Sequence, residues 1–185
     1  MSRYFSSLLR RCVTLAAIQT VFSIGAIGIL STPGRAAPTG NAPFETAQPE
    51  PQKLAQSIMD EIRYLENSGQ RWIEVDLSQQ LLTAWSGSSL VYSTYISSGV
   101  DATPTPTGVF SIQTKYDSTP MSGADYYVPD VPYAMFFYGN YAIHGAYWHN
   151  DFGTPVSHGC INLPLKNAQW LFDWAEIGTT LIIHE

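Results

Sequence analysis

The stretch TPVSHGCINLP, residues 154 to 164, places His158 and Cys160 two positions apart with only Gly159 between them. A thiol with a pKa of about 8.5 is only a few per cent thiolate at neutral pH, so a cysteine nucleophile needs a base or a cation beside it. His144, His149 and His158 all lie within sixteen residues of Cys160. On an extended segment His158 and Cys160 share a side by the period of two, while His144, at the end of the strand-like run AMFFYGNYAIHG, is placed to reach across from a neighbouring strand. The residues alone leave open which histidine would be the base. Gly159 lets the chain turn tightly and aim the N–H groups of Gly159 and Cys160 at a developing oxyanion, each such donor being worth roughly 3 kcal/mol; an ordinary turn glycine is the alternative. His144, His149, His158 and Cys160 also supply ligand types that zinc prefers, but their spacing matches no common zinc pattern.

The lone thiol is informative because of the compartment. Residues 1 to 37 carry Arg3, Arg10 and Arg11, then an apolar run from Cys12 to Leu30, then STPGRAA, which is the order of a secretory signal cut near Ala36 or Ala37, or else of a signal anchor. Without that leader Cys160 is the only cysteine, so no internal disulfide can form in an oxidising compartment, and the thiol is buried, intermolecular or reactive. Beyond residue 37 there are five basic and fifteen acidic residues, a formal charge of −10. Such a surface repels phosphate backbones, which excludes nucleic acid as an expected partner. Membrane attachment is expected only through the N-terminal apolar segment, and the protein is expected to act outside the cytoplasmic membrane, as a monomer.

The elements that must position these side chains follow from periodicity. Residues 38 to 53 are rich in Pro and polar residues and read as a flexible linker. Leu54, Ile58, Ile62 and Leu65 recur at helical spacing, which predicts a helix over 54 to 69 that stops at Gly69 and packs on the outside of the domain. The catalytic domain is expected over 71 to 185. RWIEVDL, LLTAWSG and LVYSTYISSG alternate with period two and predict three antiparallel strands, with a fourth from Val109 to Thr114 after the turn signals Pro104, Pro106 and Gly108. Residues 115 to 134 hold Tyr116, Tyr126, Tyr127 and Tyr133 among Pro and Gly and read as a long lid loop or substrate wall. Ala168, Leu171, Phe172 and Ala175 predict a helix after Pro164, and TTLIIHE a closing strand. The fold class is therefore mainly β, a β-rich α+β arrangement with a helix beside a sheet.

AIHGAYWHNDFGTPVSHGCINLP closely resembles the signature of the L,D-transpeptidase catalytic domain, a His-Gly or His-Ser pair followed at a distance by Ser-His-Gly-Cys. IEVDLSQQLLTAW, TPTPTGVF, PYAMFF and NAQWLFDW look like that family's flanking segments, so the similarity runs from about residue 71 to 184. The resemblance implies a β-sandwich with a lid loop over a catalytic cleft and a packed C-terminal helix. It implies acyl transfer on peptidoglycan stem peptides, with a tetrapeptide donor and an amine acceptor, in cell wall biogenesis and without cofactor or metal. By position it makes Cys160 the nucleophile and His144 its base, oriented by the Gly145 carbonyl rather than by Asp151. His158 would shape or polarise the cleft with support from Ser157, and Asn162 would stand where many members carry Arg. Tyr127, Tyr133 and Phe136 complete the expected substrate-binding set. Water as acceptor would make the site an L,D-carboxypeptidase; a catalytically inactive wall-binding domain or a zinc module are the non-enzyme alternatives. His184, next to the C-terminal residue, is expected to be solvated.

Overall fold

A computed structural model describes residues 50–123 and 126–185, so the expected leader and most of the expected linker lie outside the described residues. Helix α1 (Pro51–Ser68) begins inside the Pro-rich stretch, with proline in its first turn, and ends where Gly69 takes a left-handed conformation at φ 69°. Strands β1 (Arg71–Asp76), β2 (Leu81–Ser86) and β3 (Ser89–Tyr95) form the antiparallel hairpins expected from their alternation. β4 (Gly108–Ser111) and β9 (Thr180–His184) complete a five-stranded sheet in the order β3-β2-β1-β9-β4, with β1 and β9 parallel. A second, four-stranded sheet has the order β5-β6-β7-β8, from β5 (Thr114–Ser122), β6 (Tyr127–Tyr138), β7 (Tyr141–Gly145) and β8 (Ile161–Leu163). Helix α2 (Leu165–Trp174) packs on β6 and β7. The mainly β architecture with a packed C-terminal helix is thus the one the sequence calls for.

The inner faces of the two sheets meet in one core. Ile73, Val75 and Leu82 from the first sheet bury against Met135, Phe137, Ile143, Ile161 and Leu163 from the second, with Ala168 and Leu171 of α2 sealing one side. At about 1.5–3 kcal/mol for each fully buried large side chain, this interface carries much of the driving force for folding. The central strands of the first sheet are buried on both faces: Trp72 and Ile182 point the other way, against Ile58 and Leu65 of α1. The 54/58/62/65 spacing of α1 exists to cover that second face.

Two segments differ from the expectation. The strand expected from Val109 to Thr114 is two strands: β4 ends at Ser111, Ile112 drops into the core, and the chain crosses to the other sheet before Thr114. The long connection expected over 115 to 134 is mostly a β-hairpin of β5 and β6, whose tip at 124–125 lies outside the described residues. Proline hid it. Pro120 sits on an edge strand at a register shift between Thr119 and Met121, and Pro132 is flanked within two residues by Asp130 and Tyr133, both at positive φ. Bulged edges of this kind are where a sheet tolerates residues that cannot donate to the ladder.

His184 is not simply solvated either. Its Nε2 lies 3.1 Å from Glu74 Oε1, and Trp85 Nε1 donates to the other carboxylate oxygen at 2.9 Å. The hydrogen bond to Glu74 raises the His184 pKa to about 9 despite burial, assisted by the Glu185 carbonyl and the charges of Glu74 and Asp76. A folded-state pKa above the ordinary 6.5 stabilises the fold fully below about pH 6.5 and loses that contribution as pH rises through about 9. Glu74→Gln is expected to lower unfolding free energy by about 1–2 kcal/mol at pH 6 and much less at pH 10, measured by urea denaturation at both values.

Candidate active site

Strand β7 ends by delivering His144, and its parallel pairing with β8 sets His144 opposite Asn162. Partners in register project to the same face of a sheet, and Cys160, two residues before Asn162, returns to that face by the period of two. His144, Ser157, His158, Cys160 and Asn162 accordingly line one cavity of about 260 Å3, walled by Met121, Tyr126 and Trp148. A second cavity of about 210 Å3 lies between Pro120, Ser122, Phe136 and Asn140, and it too includes Cys160. Cys160 therefore borders both cavities.

The turn carrying the thiol is fixed by hydrogen bonds within and behind it. Ser157 Oγ accepts the Gly159 N–H at 3.0 Å and donates to the Cys160 carbonyl at 2.6 Å. Gly159 has φ 108°, and a Cβ there would stand 2.4 Å from Tyr141 Cε1, so both conformation and space demand glycine. Thr105 Oγ1 donates to the Gly159 carbonyl at 3.0 Å and accepts the Gly99 N–H at 2.9 Å. The Ser98 carbonyl accepts the N–H groups of Val156 and Ser157, and Ser98 is itself held through its own N–H and hydroxyl by the buried side chain of Gln80. The first hairpin and the TPTPTGVF segment thus act as a backing for the thiol turn. No local signal in the sequence marks Gln80 or Thr105 for this role, because their partners are distant in the chain.

One expectation is corrected here. The Gly159 N–H is engaged by Ser157, so it is not a donor to an oxyanion; of the two amides expected to serve, the one not held by Ser157 is that of Cys160.

His144 is buried, and its Nδ1 is 3.1 Å from the Gly145 carbonyl. A carbonyl only accepts, so Nδ1 carries the proton and Nε2 keeps its lone pair for the cleft. Burial pushes the His144 pKa down to about 4, against the pull of the Gly145 carbonyl and with a smaller push from His149. The Cys160 thiol is half-buried, and enclosure raises its pKa above the ordinary thiol value, with a backbone hydrogen bond from Ala142 opposing. Both groups are therefore neutral at rest. Burial disfavours the charged form of both groups, and the arrangement suits proton transfer that accompanies attack.

Of the other expected site residues, His158 stacks on Tyr126 with ring centroids 4.5 Å apart, tying the cleft to the lid hairpin. Phe136 lines the second cavity, whereas Tyr133 packs on Phe172 of α2 and Tyr127, largely exposed, pairs with Ser122 near the hairpin tip. Neither tyrosine is among the residues lining the two cavities. Trp148, 5.8 Å from the His144 ring, is a cleft residue the sequence reading did not select, and Tyr126, expected as part of the lid or substrate wall, lines the cleft as well. His149 is half-buried and hydrogen-bonded to Asn162 at 2.9 Å. Among the described residues, no three His, Cys, Asp or Glu side chains converge as a metal site.

The chain is similar to known proteins. L,D-transpeptidase 2 of Mycobacterium tuberculosis is 31% identical over 115 residues, covering 56% of this chain and 28% of that protein. The putative L,D-transpeptidase YciB of Bacillus subtilis is 28% identical over 130 residues, covering 60% and 64% respectively. The solved structure of the L,D-transpeptidase LdtMt1 in complex with imipenem matches with a TM-score of 0.58 and 27% identity over 62% of this chain and 58% of that one. In each case the chain spans less than two thirds of the relative. The family model described as YkuD, L,D-transpeptidase catalytic domain, matches residues 70–183, more than half of the chain. On that match the chain belongs to the L,D-transpeptidase catalytic domain family.

Proposed function

We propose that the protein is an exported peptidoglycan L,D-transpeptidase that works through a thioester on Cys160. The supporting observation is the orientation of His144: its Nδ1 is committed to the Gly145 carbonyl, which turns Nε2 toward the cavity that holds the thiol. The sulfur adds to the carbonyl of the third stem residue while its proton passes to His144 Nε2. The amide C–N bond then breaks, and His144 returns the proton to the departing amine of the terminal D-alanine. An amine of a second stem attacks the thioester, gives its proton to His144, and releases the thiolate, which recovers a proton from the imidazolium. The Cys160 N–H is the backbone donor assigned to the oxyanion, with His158 shaping the cleft.

Two cavities that share Cys160 give donor and acceptor separate approaches, which favours an amine acceptor over water. Residues 1 to 37 supply the export signal and place the domain in the periplasm or wall. The test is incubation of the mature protein with a disaccharide tetrapeptide, followed by mass analysis. The expected products are free D-alanine and a cross-linked dimer, both absent with Cys160→Ser. A tripeptide without dimer would assign the carboxypeptidase reading, and an unchanged substrate would overturn enzymatic function.

A further inference from the structure

The hairpin of β5 and β6 is interrupted where its ladder slips. Thr119 pairs with Val131 and Met121 with Val128, so the single residue Pro120 faces both Pro129 and Asp130. Neither proline has an N–H to donate, and Asp130 takes a positive φ of 48°. Beyond this bulge the hairpin carries Met121, Tyr126 and Val128, which wall the cavity around Cys160, and Tyr126 is the ring that stacks on His158. That wall of the cleft is therefore held across a joint from which two backbone donors are missing.

One side chain from outside the hairpin grips the joint. The Tyr147 hydroxyl donates to the Pro129 carbonyl at 2.7 Å. The Tyr147 ring meets its neighbour Trp148 edge to face, with centroids 4.9 Å apart, and the Trp148 ring lies 5.8 Å from that of His144. Tyr147 thus touches the hairpin on one side of the cleft and Trp148 on the other, while lining neither of the two cavities that border Cys160. Half of its surface is exposed, so it adds little to the core.

We propose that Tyr147 is a positioning residue that clasps the bulge at Pro129 and braces Trp148, and so sets the width of the cleft in which the acyl donor lies beside Cys160. The inference rests on the transpeptidase reading for its substrate. Because Tyr147 acts through the walls, its effect falls on the fit of the substrate and leaves the proton transfer between Cys160 and His144 alone.

Tyr147→Phe keeps the ring against Trp148 and removes only the hydroxyl, and two measurements on it test the proposal. Hydrogen exchange in the substrate-free protein reads the clasp: the amides of Met121, Val128, Asp130 and Val131 are expected to exchange about three- to ten-fold faster than in the parent, as befits one lost hydrogen bond, with β1 and β2 unchanged. In turnover, KM for the tetrapeptide is expected to rise about three- to ten-fold with kcat little changed, while alkylation of Cys160 by iodoacetamide, too small to need both walls, keeps the parent's rate and pH profile. Unchanged exchange at the four amides overturns the clasp even if the parent protein proves inactive on the tetrapeptide, so this failure is distinct from failure of the transpeptidase reading. A KM equal to the parent's, or a fall in kcat accompanied by altered alkylation, contradicts the positioning role.

Discussion

His144→Ala lowers the rate of Cys160 acylation at pH 7 by about 10²- to 10⁴-fold, the usual worth of a general base. The size follows from the resting state. With the imidazole pKa near 4 and the thiol above its ordinary value, the free enzyme holds almost no thiolate at neutral pH, so nearly all reactivity depends on a base that takes the proton during attack. The pH dependence separates this from a structural defect. In the parent protein His144 stays unprotonated down to about pH 4, so acylation is expected to vary little between pH 6 and 8. In His144→Ala the reaction relies on free thiolate, so the logarithm of the rate is expected to climb with pH at close to unit slope across that range. His158→Ala is expected to slow acylation while keeping the parent's profile, since that ring packs on Tyr126 and shapes the cleft. Rates of carbapenem acylation measured across pH for the three proteins decide the matter. A steep profile in His158→Ala with a flat one in His144→Ala would exchange the two roles.

The loss expected in Cys160→Ser is larger still: no acylation by carbapenem and no cross-linking above background. A hydroxyl is far less acidic than a thiol, and a base with a pKa near 4 has little power to deprotonate it. The backing of the turn by Ser157, Thr105 and Gln80 is unaffected by this exchange of one atom, so the variant is expected to fold as the parent does.

Much of this was legible before any coordinates. Period-two alternation of apolar and polar residues marked β1, β2 and β3, and the spacing of Leu54, Ile58, Ile62 and Leu65 marked α1. The meeting of His144 and Cys160 was legible in part, since both sit at strand ends with glycine beside them. What local pattern could not carry was anything decided by distant partners. Pro120, Pro129 and Pro132 made β5 and β6 look like a loop, because a bulged edge strand and a loop share the same punctuation. Gly159 looked like half of an oxyanion hole, yet its N–H is taken by Ser157 two residues earlier. The function of Thr105 and Gln80 as props appears only when residues 98 and 159 are brought beside them. His184 next to the C-terminal residue gave no hint of Glu74, 110 residues away.

The central claim is that Cys160 is the nucleophile of an acyl-transfer site. Intact mass measurement after incubation with a carbapenem, followed by peptide mapping, tests it most directly. One adduct per chain, located on the peptide containing Cys160 and missing from Cys160→Ser, is the predicted result; an adduct on Ser157 or any other hydroxyl, or none on the parent protein, would contradict it.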